Sequence, residues 1–174
     1  MNKFVMNHMP KVYFGEGALK DALTQECQHY GPNVLVAYGG GSVKKTGIFD
    51  EVVKLLQEQK KTIFELSGIM SNPTYAKVQE GAKLVKEKKI DFILAVGGGS
   101  VIDCCKVISA QAKTQEDLWT MEFDEKRFPT QFIPMGAVVT ASGTGSEMNN
   151  GAVITNEEVK IKGGMLGALA DFSV

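Results

Sequence analysis

The tetrapeptide Gly-Gly-Gly-Ser occurs twice in this chain, at Gly39–Ser42 and at Gly97–Ser100. Each copy follows an apolar run, VLVAY at Val34–Tyr38 and FILAV at Phe92–Val96. Glycines bring the main chain close to whatever lies at the end of such a run, because no Cβ holds it away. In the second copy Ser100 opens a helical pattern. The first amides of a helix lack internal acceptors and lie at the positive end of its dipole, so Gly98, Gly99 and Ser100 form an anion site, most often one for phosphate. Asp103, one turn further on, is placed either to stabilise the helix start or to reach a polar group of a ligand. A tight strand-to-helix turn without a ligand is the competing reading of these residues. Neither standard phosphate motif is present: Ile102 stands where G-x-G-x-x-G requires glycine, and no Gly-Lys-Ser/Thr follows.

The first copy, Gly39, Gly40, Gly41 and Ser42, has a different neighbourhood. In dinucleotide sites an acidic residue near a strand end commonly holds the adenosine ribose hydroxyls. None follows Tyr38, whereas Lys44 and Lys45 come next. Exposed amides, a hydroxyl and nearby ammonium groups suit the 2′-phosphate of NADP; the two lysines by themselves read as a solvated surface pair. A third loop, TASGTGSE, carries Thr140, Ser142, Thr144 and Ser146 beside two glycines. Four hydroxyls there suit a sugar, a phosphate or a nicotinamide amide, and a plain Ser/Thr-rich surface loop has the same composition.

A chemical centre is harder to find. The histidines are His8 and His29, both read as surface residues. No H-x-x-x-H pair, no G-x-S-x-G elbow and no C-x-x-C pair occurs. Cys27, Cys104 and Cys105 form no disulfide framework and fit a reducing compartment.

The loops need a scaffold. Leu19, Ala22, Leu23 and Cys27 predict a helix over about Ala18–Tyr30, closed by Gly31-Pro32. Ile48, Val52 and Leu55 with Phe49, Val53 and Leu56 predict a second, and Thr62–Leu66 a strand. In SNPTY, Asn72 is the expected cap and Pro73 the first turn of a helix bearing Tyr75, Val78, Ala82 and Val85. Val101, Cys104, Cys105, Ile108 and Ala112 mark the helix after the second glycine loop. Gln115–Pro129 reads as a polar excursion with a short helix, Phe132–Met135 as a strand, and Ala152–Ile161 as a hairpin around TNEE. This alternation predicts an α/β fold, a parallel sheet with helices on both faces. Ligands bind outside the carboxyl ends of such strands, where all three loops lie.

Composition agrees with one soluble domain: 174 residues, 44% apolar, 22% charged, net charge −1. So balanced a charge gives no reason to expect nucleic acid or an anionic membrane as partner. With no apolar stretch of signal or spanning length, a cytoplasmic location is expected.

VYFGEGAL, YGGGSVKKTGIFDEVV, NPTY, ILAVGGGSVIDCCKVIS and IPMGAVVTASGTGSEMNNGAVIT resemble the N-terminal half of the iron-containing (group III) alcohol dehydrogenases. Within them the likeness is to the NADPH-dependent butanol dehydrogenase or aldehyde reductase branch, in register from about Val12 to Thr155. The resemblance implies a Rossmann-like dinucleotide-binding domain over residues 1–174, of the dehydroquinate synthase-like kind. It implies too that the family's helical domain, with its iron or zinc, is absent from this chain. By resemblance Gly98, Gly99 and Ser100 hold the pyrophosphate, with Asp103 towards the nicotinamide. Gly39, Gly40 and Ser42, with Gly41 between them, lie at the adenosine ribose and favour NADP. Asn72 approaches the adenosine end, Thr140 and Thr144 the nicotinamide half, and Lys162 matches a cofactor-contacting lysine. Lys160 competes for that role because Glu158–Leu169 departs from the family pattern.

The family's aspartate and three histidine ligands follow the segment that ADFSV resembles. The resemblance therefore assigns no catalytic and no metal residue here. It implies a primary alcohol or aldehyde substrate only for the full-length enzyme, an inactive isolated chain, and a homo-oligomer. Trp119–Phe123 or the C-terminal strand is expected to expose apolar surface. The alternatives are a stand-alone nucleotide-binding module or a glycerol dehydrogenase-like member of the same fold.

Overall fold

The computed structural model describes residues 10–174; His8 and the start of the mixed segment lie outside them. Six strands form one sheet: β1 (Lys11–Val12), β2 (Asn33–Tyr38), β3 (Thr62–Leu66), β4 (Phe92–Gly97), β5 (Met135–Val139) and, last in the chain, β8 (Phe172–Ser173). Their order is β1-β8-β5-β4-β2-β3, and every pair is parallel. The remaining two, β6 (Gly151–Asn156) and β7 (Ile161–Leu166), form a separate antiparallel hairpin.

Strand alternation divides the core. Leu35, Ala37, Ile93, Ala95 and Met135 pack with α4 (Tyr75–Glu87) and α5 (Gly99–Lys113), and with Leu118 and Trp119 of α6 (Leu118–Phe123). Val34, Val36, Phe92, Leu94 and Val96 point the other way, against α1 (Ala18–Glu26) and α3 (Ile48–Glu58). β2 and β4 are apolar on both faces because both faces are covered. A four-residue turn of helix, α2 (Ser42–Lys45), lies between the first glycine loop and α3. Among the described residues, no helix is long and apolar enough to cross a membrane.

Several expectations are corrected. The fourth long strand is Met135–Val139, not Phe132–Met135. Pro134 has no N–H to place in a ladder; it only offers its carbonyl to the amide of Ile93. The cap of α4 is Thr74, whose Oγ1 accepts from the Lys77 amide at 3.2 Å. Asn72 instead adopts a left-handed backbone, φ 57°. Trp119 is buried, stacked on Phe123 with ring centroids 4.2 Å apart, and β8 is buried between β1 and β5. The large exposed apolar side chains are elsewhere, chiefly Val12, Phe14 and Met70.

The hairpin is held to the helices by buried polar groups as well as by Ala152, Ile154 and Met165. Lys106 of α5, fully buried, donates to the carbonyl of Gly151 at 2.7 Å and to Asn149 Oδ1 at 3.2 Å. Glu122 of α6 accepts from the Leu166 amide at 2.8 Å, and its Oε1 has no protein partner. Burial pushes the Glu122 carboxyl up to about 6 from an ordinary 4.5. Between those values the folded chain keeps a proton that the unfolded chain has released. Its contribution is therefore complete below pH 4.5 and is lost as pH rises through 6. In urea unfolding from about pH 3 to about pH 8, wild type should lose about 2 kcal/mol more than Glu122→Gln, whose amide does not titrate.

Candidate cofactor site

The carboxyl ends of β3, β2, β4 and β5 deliver four loops to one edge of the sheet. The loop after β3 is tied to the first glycine loop by the amides of Gly68 and Ile69, which donate to the carbonyls of Gly39 (3.1 Å) and Tyr38 (3.3 Å). The second glycine loop meets the third loop twice. Thr140 donates its amide to Gly97 O at 3.1 Å, and Gly99 faces Thr144 and Ser146. A Cβ at Gly99 would fall 2.6 Å from Thr144 Oγ1 and 3.0 Å from Ser146 Oγ, so only glycine permits this approach. Between the loops lies a cleft of about 430 Å³ lined by Gly39, Gly40, Ile69, Met70, Ser71, Gly98, Gly99, Ser100 and Val101. Gly98 caps α5, and the helix opens at Gly99, one residue before the expected Ser100.

The other sequence-predicted residues divide into groups. Gly41 has φ 101°, which accounts for a glycine at the turn into α2; Gly40 has open space on its Cβ side. Asn72 and Lys162 lie together beside Ser71, with Lys162 Nζ donating to Asn72 Oδ1 at 2.5 Å. Lys160 sits in the turn of the hairpin instead. Thr144 bonds Ser146 Oγ at 3.1 Å, whereas Thr140 lines a neighbouring groove of about 730 Å³ with Phe14, Val139 and Val174. Asp103 is turned to the hairpin: its Oδ2 accepts from the Val153 amide at 3.0 Å. Its Oδ1, 3.7 Å from Lys106 Nζ, is buried without a hydrogen bond.

Sequence reasoning missed Glu65 and the Ile69–Ser71 wall. No carboxylate follows Tyr38, yet β3 supplies one. Glu65 Oε2 accepts from Tyr38 Oη at 2.7 Å and from Lys44 Nζ at 3.0 Å. The Tyr38 hydroxyl, then the Lys44 ammonium, hold the Glu65 carboxyl below its ordinary value. The signal was a lone acid within an apolar strand; its partner became visible only with the register, which sets Glu65 opposite Val36.

The cysteines are inert. Burial pushes the Cys27 thiol up to about 11 and the Cys104 thiol up to about 12. Among the described residues, no three His, Cys, Asp or Glu side chains cluster as a metal site.

A sequence model of the iron-containing alcohol dehydrogenases matches residues 10–174. The chain belongs to this family. It is 46% identical over 164 residues to the probable NADH-dependent butanol dehydrogenase 1 of Bacillus subtilis, covering 94% of this chain and 42% of that protein. It is 42% identical over 159 residues to the NADPH-dependent aldehyde reductase YqhD of Escherichia coli, covering 90% of this chain and 40% of that one. The crystal structure of NADH-dependent butanol dehydrogenase A from Thermotoga maritima superposes with a TM-score of 0.91 at 37% identity, over 99% of this chain and 44% of the other. The chain thus spans about two fifths of the curated relatives it matches. Their names divide between NADH and NADPH, so family membership leaves that choice open. The residues present fit a nicotinamide dinucleotide, whose phosphates need close main-chain approach at strand ends. Among the described residues no ligand set for the metal in the family's name is formed.

The Gly99 contact yields a stability test. Gly99→Ala must push Thr144 and the third loop aside, costing about 1–3 kcal/mol. Gly98→Ala meets only the Ala141 Cβ at 3.6 Å, an ordinary contact, and should stay within about 0.5 kcal/mol of wild type. Urea midpoints at constant m-value distinguish the two.

Proposed function

We propose that this chain is the dinucleotide-binding domain of an NADP(H)-dependent alcohol dehydrogenase or aldehyde reductase. The observation that carries the reading is the meeting of the two glycine loops across one cleft, with the start of a fifteen-residue helix in its wall. Gly98, Gly99 and Ser100 would hold the pyrophosphate, since helix-start amides and the dipole favour an anion. Gly39–Ser42 would hold the adenosine ribose, and Thr140 and Thr144 the nicotinamide half. Asn72 and Lys162 border the cleft as a hydrogen-bonded pair, and Asp103 acts by holding the hairpin that carries Lys162.

A nicotinamide dinucleotide held by Gly39–Ser42 and Gly98–Ser100 would supply hydride chemistry towards the carbon of a primary alcohol or aldehyde. This chain's residues bind and orient the cofactor. Among the described residues no His, Cys, Asp or Glu cluster could hold a metal to stabilise charge on the substrate oxygen; residues 1–174 by themselves therefore bind NADPH without turnover. A homo-oligomer and a cytoplasmic location complete the proposal.

Fluorescence titration of the chain with NADPH and NADH tests the binding. NADPH should bind more tightly, and Gly98→Val, by crowding the phosphate approach, should weaken both at least about tenfold. Undiminished affinity in that variant would reduce the second loop to a plain turn. Turnover is checked separately: with NADPH, butyraldehyde and added zinc or iron, absorbance of the reduced cofactor should stay constant. A metal-dependent decline would contradict the division of labour proposed here.

A further inference from the structure

Lys44 has one anionic partner among the described residues, the carboxylate of Glu65. Its Nζ lies 3.0 Å from Glu65 Oε2, above the rings of Phe49 (4.3 Å to the centroid) and Tyr38 (5.0 Å). The two ends of the pair differ in freedom. Glu65 is fixed in β3 and accepts a second hydrogen bond from Tyr38, a buried residue of β2. Lys44 rides a flexible four-carbon stem on a short helix immediately after Gly39–Ser42. Both charged side chains are about half exposed, at 46% and 47%, so a ligand arriving at the first loop can reach the ammonium.

We propose that Glu65 sets the preference between NADP and NAD by competing with the 2′-phosphate for Lys44. The inference rests on the assignment of Gly39–Ser42 to the adenosine ribose. Open space beside Gly40 leaves room there for a phosphate. An exposed ion pair contributes little, so Lys44 can be drawn away. The carboxylate it leaves behind stays in place, held by Tyr38, and continues to compete for the ammonium. NAD binds without breaking the pair. Glu65 is therefore a positioning residue that acts through Lys44, and its effect falls on the ratio of the two affinities.

The test measures that ratio by fluorescence titration of the full chain with NADPH and NADH at low salt. Glu65→Gln keeps an acceptor for Tyr38 and releases Lys44; the NADPH preference should rise about three- to tenfold. Lys44→Gln should lower it by a similar factor. In the double variant, the gain from Glu65→Gln should shrink to less than half, since its target is gone. Thermal unfolding of each variant verifies that it is folded before titration. Glu65→Gln leaving the ratio unmoved, or raising it equally with and without Lys44, overturns the competition. A parent chain that prefers NADH, with variants that still move the ratio as stated, keeps the competition and refutes the NADP assignment. Failure of the parent to bind either dinucleotide overturns both.

Discussion

The structure depends on β4 being buried on both faces and flanked by β2 and β5. Its residues Phe92–Gly97 are all buried, alternating between the two cores. Such a strand can continue only by leaving the sheet at its carboxyl end into a tight passage. Gly97 passes beside Val101, and Gly99 passes beside Thr144 and Ser146. That passage closes the second loop against the third and fixes where α5 begins. The direction of the α5 axis, and with it the start of a long helix in the cleft wall, follows from how β4 ends.

The hairpin β6–β7 shows how a polar set can dock an element outside the sheet. Lys106, Asp103 and Glu122 each meet a main-chain group of the hairpin or of its approach. Buried main-chain amides and carbonyls must find partners, and a helix surface can supply them only through side chains. Two of these carboxylates keep one oxygen without a partner, Asp103 Oδ1 and Glu122 Oε1. For Glu122 the cost appears as a proton held more tightly in the folded chain. The arrangement places Lys162 of the hairpin against Asn72, the residue after Ser71 of the cleft wall.

Charge around the first loop is more evenly balanced than its local sequence suggests. Lys44 has a carboxylate beside it, contributed by the neighbouring strand. Family relatives named for NADH and for NADPH show similar overall identity to this chain.

Local sequence determined the elements and the loops. The continuous apolar runs VLVAY and FILAV, helical spacing after each, and repeated Gly-Gly-Gly-Ser were sufficient for an α/β fold with loops at one edge, since each is a property of a few consecutive residues. The tertiary structure decided what those loops touch. It made Thr74 the cap in place of Asn72, drew Asn72 to Lys162, turned Asp103 towards Val153, buried Trp119, and set Glu65 beside Tyr38 and Lys44. These pairings join residues far apart in the chain, and strand register and helix docking bring them together. Neither propensity nor spacing along one segment carries that information, because a side chain's partner depends on which strand lies next to its own.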